Sequence, residues 1–235
     1  MTFKEILDIT DDKTLKEKLE PLVNECGLGS FRIKSVGNDS TTGFGVIVFT
    51  DGKGNTGFSF RGTDGAPSAK SINDWTDNGI SAVTGTSPQT AQAETFFDKY
   101  KDTSENNYLY GHSKGGQLSE SVYANNNKDI KSVHLLNPQP LNPYSLTADQ
   151  KLAMQSDKVD IVIVEGDYVW FLGALPSYGN IRIAKSNGGD SHDYSSIYDI
   201  YDENGNIQET NQPWWEYAAY FTISTISSGL QRLGA

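Results

Sequence analysis

Gly111-His112-Ser113-Lys114-Gly115 sets a serine between two glycines, each two residues away, and a third glycine follows at 116. A serine in this pattern suits nucleophilic attack on an acyl carbon if the chain turns there sharply from strand to helix. The turn projects the hydroxyl, and only glycine leaves room where the two arms meet. The flanking sequence supplies both arms: Tyr108-Leu109-Tyr110 is a short apolar strand leading in, and Gly115–Ala124 reads as a helix leading out. Ser113 is therefore the expected nucleophile, held in a strained backbone conformation.

A serine hydroxyl needs a general base to attack near neutral pH, and histidine is the usual one. The chain has three. His112 adjoins the nucleophile, so its side chain is expected to point away from the hydroxyl. His134 falls inside the strand Val133–Leu136 and reads as a core or sheet-face residue. His192 lies in a polar loop, Gly188-Gly189-Asp190-Ser191-His192-Asp193-Tyr194, downstream of the elbow, and is the expected base. The acid that orients it belongs between Ser113 and His192 in chain order, beyond the carboxyl end of a strand. Asp160 opens the strand Ile161–Val164 and lies at the wrong end. Asp167 follows that strand in Glu165-Gly166-Asp167 and is the expected acid, with Glu165 as fallback.

Attack also creates an oxyanion, which two main-chain N–H groups must hold. The residue after the nucleophile, Lys114, supplies one, and its side chain is incidental to that role. The second is expected from the loop after the third strand, Phe60-Arg61-Gly62-Thr63-Asp64, with Thr63 as donor.

The elements that must position these groups follow from periodicity. Phe31–Val36, Phe44–Phe49 and Phe58–Arg61 read as strands of an antiparallel edge, with Asp51-Gly52-Lys53-Gly54 as a turn. Residues 13–25 read as an amphipathic helix that Pro21 ends or kinks. Pro88–Tyr100 is a helix capped by Ser87, with Pro88 in its first turn. Helices and strands then alternate through Val133–Leu136, Ala148–Met154, Asp160–Val164 and Ile181–Ala184, which predicts an α/β fold with a mostly parallel sheet and helices on both faces. Ile197–Tyr201 and Asn206–Glu209 flank Asn204-Gly205 as a peripheral hairpin. Trp214–Ile226 reads as a closing helix.

The chain of 235 residues suits one domain spanning 1–235. A net charge of −11 argues against nucleic acid as a partner. Cys26 is the only cysteine and cannot form an internal disulfide. The charged first twenty residues leave no room for a signal sequence. No stretch reaches the roughly 18 apolar residues of a membrane span. The expected location is the cytoplasm, or outside by export without a cleavable signal.

Phe60-Arg61-Gly62-Thr63, Asn73-Asp74-Trp75-Thr76-Asp77 and the Gly111–Gly116 run resemble the class 3 lipase pattern of the α/β-hydrolase superfamily. They are closer still to the bacterial lipase-like family called Mbeg1-like, whose elbow commonly reads GHSKGG. His192-Asp193 is similar to the histidine region of that family. The resemblance spans roughly residues 44 to 195. It implies an α/β-hydrolase fold, Ser113 as nucleophile, His192 as base, Thr63 and Lys114 as oxyanion donors, and neither metal nor cofactor. It implies the acid less directly.

Apolar residues crowd the expected mouth of the site: Trp170, Phe171, Leu172, Leu175, Pro176, Tyr178 and Trp75. They suit an acyl chain and equally suit the core; Trp75, Phe171 and Leu172 are the expected substrate contacts. The leading expectation is a carboxylic-ester hydrolase acting on a lipid or other small acyl ester. A thioesterase or amidase would use the same triad, and a catalytically silent binding or scaffold domain would share the fold without the chemistry.

Overall fold

A computed structural model describes residues 12–25, 31–62, 86–104, 106–167, 169–171, 179–193, 200–204 and 206–211. Seven strands form one sheet in chain order: β1 (Arg32–Asp39), β2 (Phe44–Thr50), β3 (Thr56–Phe60), β4 (Asn107–Ser113), β5 (Ile130–Pro138), β6 (Val159–Val164) and β7 (Asn180–Ala184). β1, β2 and β3 pair antiparallel, and β3 through β7 run parallel. This is the mostly parallel α/β sheet expected from the alternation of elements, antiparallel edge included.

Strand periodicity sorts the side chains onto two unlike faces. In register across the sheet, Val48, Phe58, Leu109 and Val133 turn to one side, joined by Leu135, Ile161 and Ile163. All are buried, together with Phe97 of α2 (Pro88–Tyr100), Leu118 and Val122 of α3 (Lys114–Asn126) and Met154 of α4 (Ala148–Met154). These three helices touch in sequence, α2 with α3 and α3 with α4, and cover that face. The opposite face carries Phe49, Tyr110, His134, Asp160 and Arg182, a mostly polar and half-exposed row. The helix expected over 214–226 lies outside the described residues.

Local rules account for the helix ends. Ser87 Oγ accepts from Thr90 N at 3.3 Å, with Pro88 behind it. Thr147 and Gln150 form a capping box at the start of α4. The first helix has nearly the span expected: α1 (Asp12–Glu25) packs beside β1 and continues through Pro21 to Glu25. Proline removes one N–H from the ladder there without ending the helix. An antiparallel bridge, Tyr201–Ile207, joins the two arms expected of the hairpin, and a second, Ala184–Glu209, ties its later arm to the end of β7.

Because β3 to β7 are parallel, their carboxyl ends lie at one edge of the sheet. Arg61-Gly62 leaves β3 there, Ser113 ends β4, and Asn137 lies near the end of β5. The Glu165–Asp167 turn leaves β6, and the histidine loop leaves β7. Among the described residues, no helix is long and apolar enough to cross a membrane.

Candidate active site

Ser113 occupies φ 55°, ψ −126°, outside the regions that side-chain-bearing residues favour. Such a conformation costs about 1–3 kcal/mol and persists only where its surroundings impose it. Here the surroundings are the two glycines. A Cβ on Gly111 would stand 2.2 Å from the Gly115 carbonyl oxygen, and one on Gly115 would stand 2.1 Å from the Phe60 oxygen. Strand, helix and the neighbouring strand thus meet backbone to backbone, and the serine is left at the apex, 8% exposed.

His192 Nε2 lies 2.9 Å from Ser113 Oγ, and His192 Nδ1 lies 2.6 Å from Asp167 Oδ2. A carboxylate only accepts hydrogen bonds, so Nδ1 carries the proton and Nε2 accepts from the serine hydroxyl. Asp167 is fully buried. Its second oxygen accepts from Val169 N at 2.7 Å and Trp170 N at 3.1 Å, at the start of the 3-10 turn Val169–Phe171. Both carboxylate oxygens are therefore bonded, and the turn that begins at Glu165 points the group at the histidine. Gly166, at φ 93°, bends the chain between the strand and the acid.

The other titratable groups separate cleanly. Glu165 is exposed. Asp160 lies at the far end of β6, bonded to Arg182 at 2.6 Å and 3.0 Å. His134 is half-exposed on the polar sheet face, 2.9 Å from Ser132 Oγ. His112, expected to turn away from the serine hydroxyl, has its Nε2 2.9 Å from the His192 carbonyl oxygen and its ring centroid 4.8 Å from that of His192. Burial, with the neighbouring His192 second, pushes the His112 imidazole down to about 4, so it stands neutral.

Lys114 opens α3, so its main-chain N–H lies in the first helical turn beside the elbow. Its side chain, incidental to that main-chain role, has a structural setting of its own. It is fully buried, and its Nζ donates to Gln117 Oε1 at 2.7 Å. Gln117 in turn donates to the Pro140 carbonyl, and buried Glu120 accepts from Leu141 N. The pattern G-x-S-x-G carries no signal for this polar group beneath the helix.

Thr63, Trp75 and Leu172 lie outside the described residues. Gly62, immediately before Thr63, passes against the elbow: a Cβ there would stand 3.4 Å from Ser113 Cβ. Phe171 closes the 3-10 turn after the acid. Trp170 is 1% exposed and belongs to the main core, which settles its double reading in favour of packing. Among the described residues no group of three or more His, Cys, Asp or Glu is arranged to hold a metal ion.

Sequence reasoning missed two side chains at this edge, Asn137 and Ser191. Asn137 is fully buried and sits at φ 42°, the one non-glycine residue besides Ser113 with positive φ among those described. Ser191 Oγ donates to the Glu165 carbonyl at 2.7 Å.

The family whose pattern matches the chain is described as Mbeg1-like, over residues 19–169. The match takes in Ser113 and Asp167 and stops before His192. A triacylglycerol lipase from Penicillium expansum, known from a crystal structure, is 17% identical over 75% of this chain and 80% of its own, with a TM-score of 0.36. No curated protein matches the chain.

Proposed function

The chain belongs to the Mbeg1-like family, and from that premise we propose that it is a serine hydrolase that cleaves carboxylic esters through an acyl-enzyme intermediate. One observation carries this reading. Asp167, His192 and Ser113 form an unbroken chain of hydrogen bonds of 2.6 Å and 2.9 Å that ends on a serine in a strained turn.

The steps follow from the geometry. Ser113 Oγ attacks the acyl carbon, and His192 Nε2 takes its proton. Asp167 holds the opposite ring N–H and stabilises the imidazolium that forms. The carbonyl oxygen, now an oxyanion, is held by the main-chain N–H groups of Lys114 and Thr63. Each such donor is worth about 3–4 kcal/mol in the transition state. Collapse expels the alcohol, which takes the proton from His192. Water then attacks the acyl-enzyme with His192 again as base, which releases the acid and restores Ser113. The acyl group lies against Trp75, Phe171 and Leu172.

A series of p-nitrophenyl esters of increasing chain length tests the reading. Hydrolysis by the natural chain and its loss in Ser113→Ala is the expected result. Equal hydrolysis by both proteins would remove Ser113 from the reaction.

A further inference from the structure

His192 sits in a loop with hydrogen bonds of its own: His192 N donates to Asp190 Oδ1 at 2.9 Å, Asp193 N to the Asp190 carbonyl at 3.1 Å and Gly188 N to Ser186 Oγ at 3.3 Å. Residues 187–190 are exposed, and Gly188 and Gly189 stand at φ 99° and 86° with no atom within 4 Å of where a Cβ would lie. Yet the imidazole must bridge Asp167 and Ser113 with both bonds in line. Further ties on the loop come from neighbouring strands.

We propose that Asn137 and His112 are positioning residues for the base. Two side-chain donors, one from β5 and one from β4, hold the successive main-chain carbonyls of Ser191 and His192, and so set where the imidazole stands between Asp167 and Ser113.

Asn137 Nδ2 donates to the Ser191 carbonyl at 2.7 Å, and its Oδ1 accepts from Val164 N at 2.7 Å. The amide has only one orientation that serves both partners, because a carbonyl accepts and an N–H donates. Asp167 N donates to Val164 O at 2.9 Å, so the turn that carries the acid is built on the same residue. One buried amide therefore ties the strand of the acid to the loop of the base. Its backbone at φ 42° is one that, glycine apart, asparagine tolerates best.

His112 makes the second tie. The His192 carbonyl only accepts, so His112 Nε2 carries the proton. The two rings lie 4.8 Å apart between centroids. His192 becomes cationic during the reaction, and a neutral neighbour at that distance supplies a hydrogen bond without opposing the new charge. Ser191 Oγ, on the Glu165 carbonyl, adds a third attachment on the side of the acid.

The inference rests on the hydrolase reading above for its catalytic consequence, though not for its geometry. Four variants separate positioning from plain structural support. Asn137→Gly keeps the backbone conformation and drops both bonds. Asn137→Asp keeps the shape and the acceptor for Val164 N, but sets a second acceptor against the Ser191 carbonyl. His112→Phe keeps a ring and loses the donor, whereas His112→Gln keeps an N–H. For each, kcat and KM are measured on a p-nitrophenyl ester. The low-field proton resonance of His192 Nδ1–H, which reports the bond to Asp167, is recorded on the same proteins and on Ser113→Ala.

Expected is a fall in kcat of roughly 10- to 100-fold for Asn137→Gly, Asn137→Asp and His112→Phe, the scale of a sub-ångström to 1 Å misplacement, with KM changed less than about twofold. His112→Gln is expected to recover much of the loss. The resonance is expected to broaden or vanish in the three impaired variants and to persist in Ser113→Ala. Natural kcat with an unchanged resonance in Asn137→Gly and His112→Phe would overturn the proposal, as would a loss that falls on KM alone. If Ser113→Ala keeps its esterase activity, the hydrolase reading fails by itself, and the resonance alone decides whether the two side chains position His192. Should Asn137→Gly fail to fold, the comparison of His112→Phe with His112→Gln decides the matter.

Discussion

The molecule contains two constellations of serine, histidine and aspartate, and they share an almost identical first contact. At the strand ends, His192 Nε2 lies 2.9 Å from Ser113 Oγ; on the open sheet face, His134 Nε2 lies 2.9 Å from Ser132 Oγ. Everything around that contact differs. Asp167 is 2.6 Å from its histidine, buried and committed to it, while Asp160 is 3.7 Å from His134 and forks onto Arg182. The side chains of His192 and Asp167 are 15% and 0% exposed, those of His134 and Asp160 45% and 23%. Ser132 lies inside β5, just past a shift in its register with β4. Ser113 sits in a strained turn at the start of α3. Residue types and one good hydrogen bond are common to both constellations; the backbone setting of the serine and the burial of the acid are not.

The comparison breaks most visibly at the histidines. His192→Ala is expected to lower kcat by several orders of magnitude, and His134→Ala to leave it within about twofold. A steady-state series on a p-nitrophenyl ester decides between them. If His134 proves essential and His192 dispensable, the two constellations have been assigned the wrong way round.

The acids sharpen it next. Asp167→Asn is expected to preserve the fold and cost about 10⁴-fold in kcat, because the amide favours the wrong imidazole tautomer. Asp160→Asn is expected to spare kcat and to cost about 1 kcal/mol or less of stability, since its ion pair is partly solvated. Burial opposes ionisation of Asp160, but hydrogen bonds to His134 and Arg182 outweigh it and hold the carboxyl below the usual range. Urea unfolding of both variants beside their kcat values would show a crossover if the roles are as described.

The smallest effect concerns His112. Its folded value of about 4 lies below the ordinary 6.5. The unfolded chain therefore binds more protons between those values. The neutral ring's share of stability is complete above about 6.5 and is lost as pH falls toward 4. The loss at about pH 4.5 is on the order of 2 kcal/mol. In His112→Phe, the gap in unfolding free energy between about pH 7.5 and 4.5 is expected to narrow by that amount. An unchanged gap would mean that His112 is not held neutral.

Much of this was legible in the residues. The 108–115 segment announces strand, turn and helix because hydrophobic period and glycine spacing change together within a few positions. His192 was singled out as the histidine on a loop downstream of the elbow, and Asp167 by the end of the strand it follows, a criterion that also set Asp160 aside; the structure brings both side chains together with Ser113. Trp170 was not resolved, because an aromatic after a strand reads alike as core or as pocket wall. Of the two effects expected of Pro21, ending or kinking α1, the first does not occur: the helix runs past it, one missing hydrogen bond being too little to stop it. Asn137 and the tie from His112 left almost no trace. A side chain that bonds a main-chain carbonyl has no preferred sequence partner, since every residue offers that carbonyl. Only Pro138, which keeps Asn137 out of the helical region, hinted at a special backbone there.

The most direct measurement is to treat the natural chain with a fluorophosphonate probe and locate the adduct by peptide mass spectrometry. A single adduct on Ser113, absent from Ser113→Ala and from protein inactivated by His192→Ala, is the expected result. An adduct on Ser132 or another serine, or none on a folded protein, would contradict the assignment of the nucleophile.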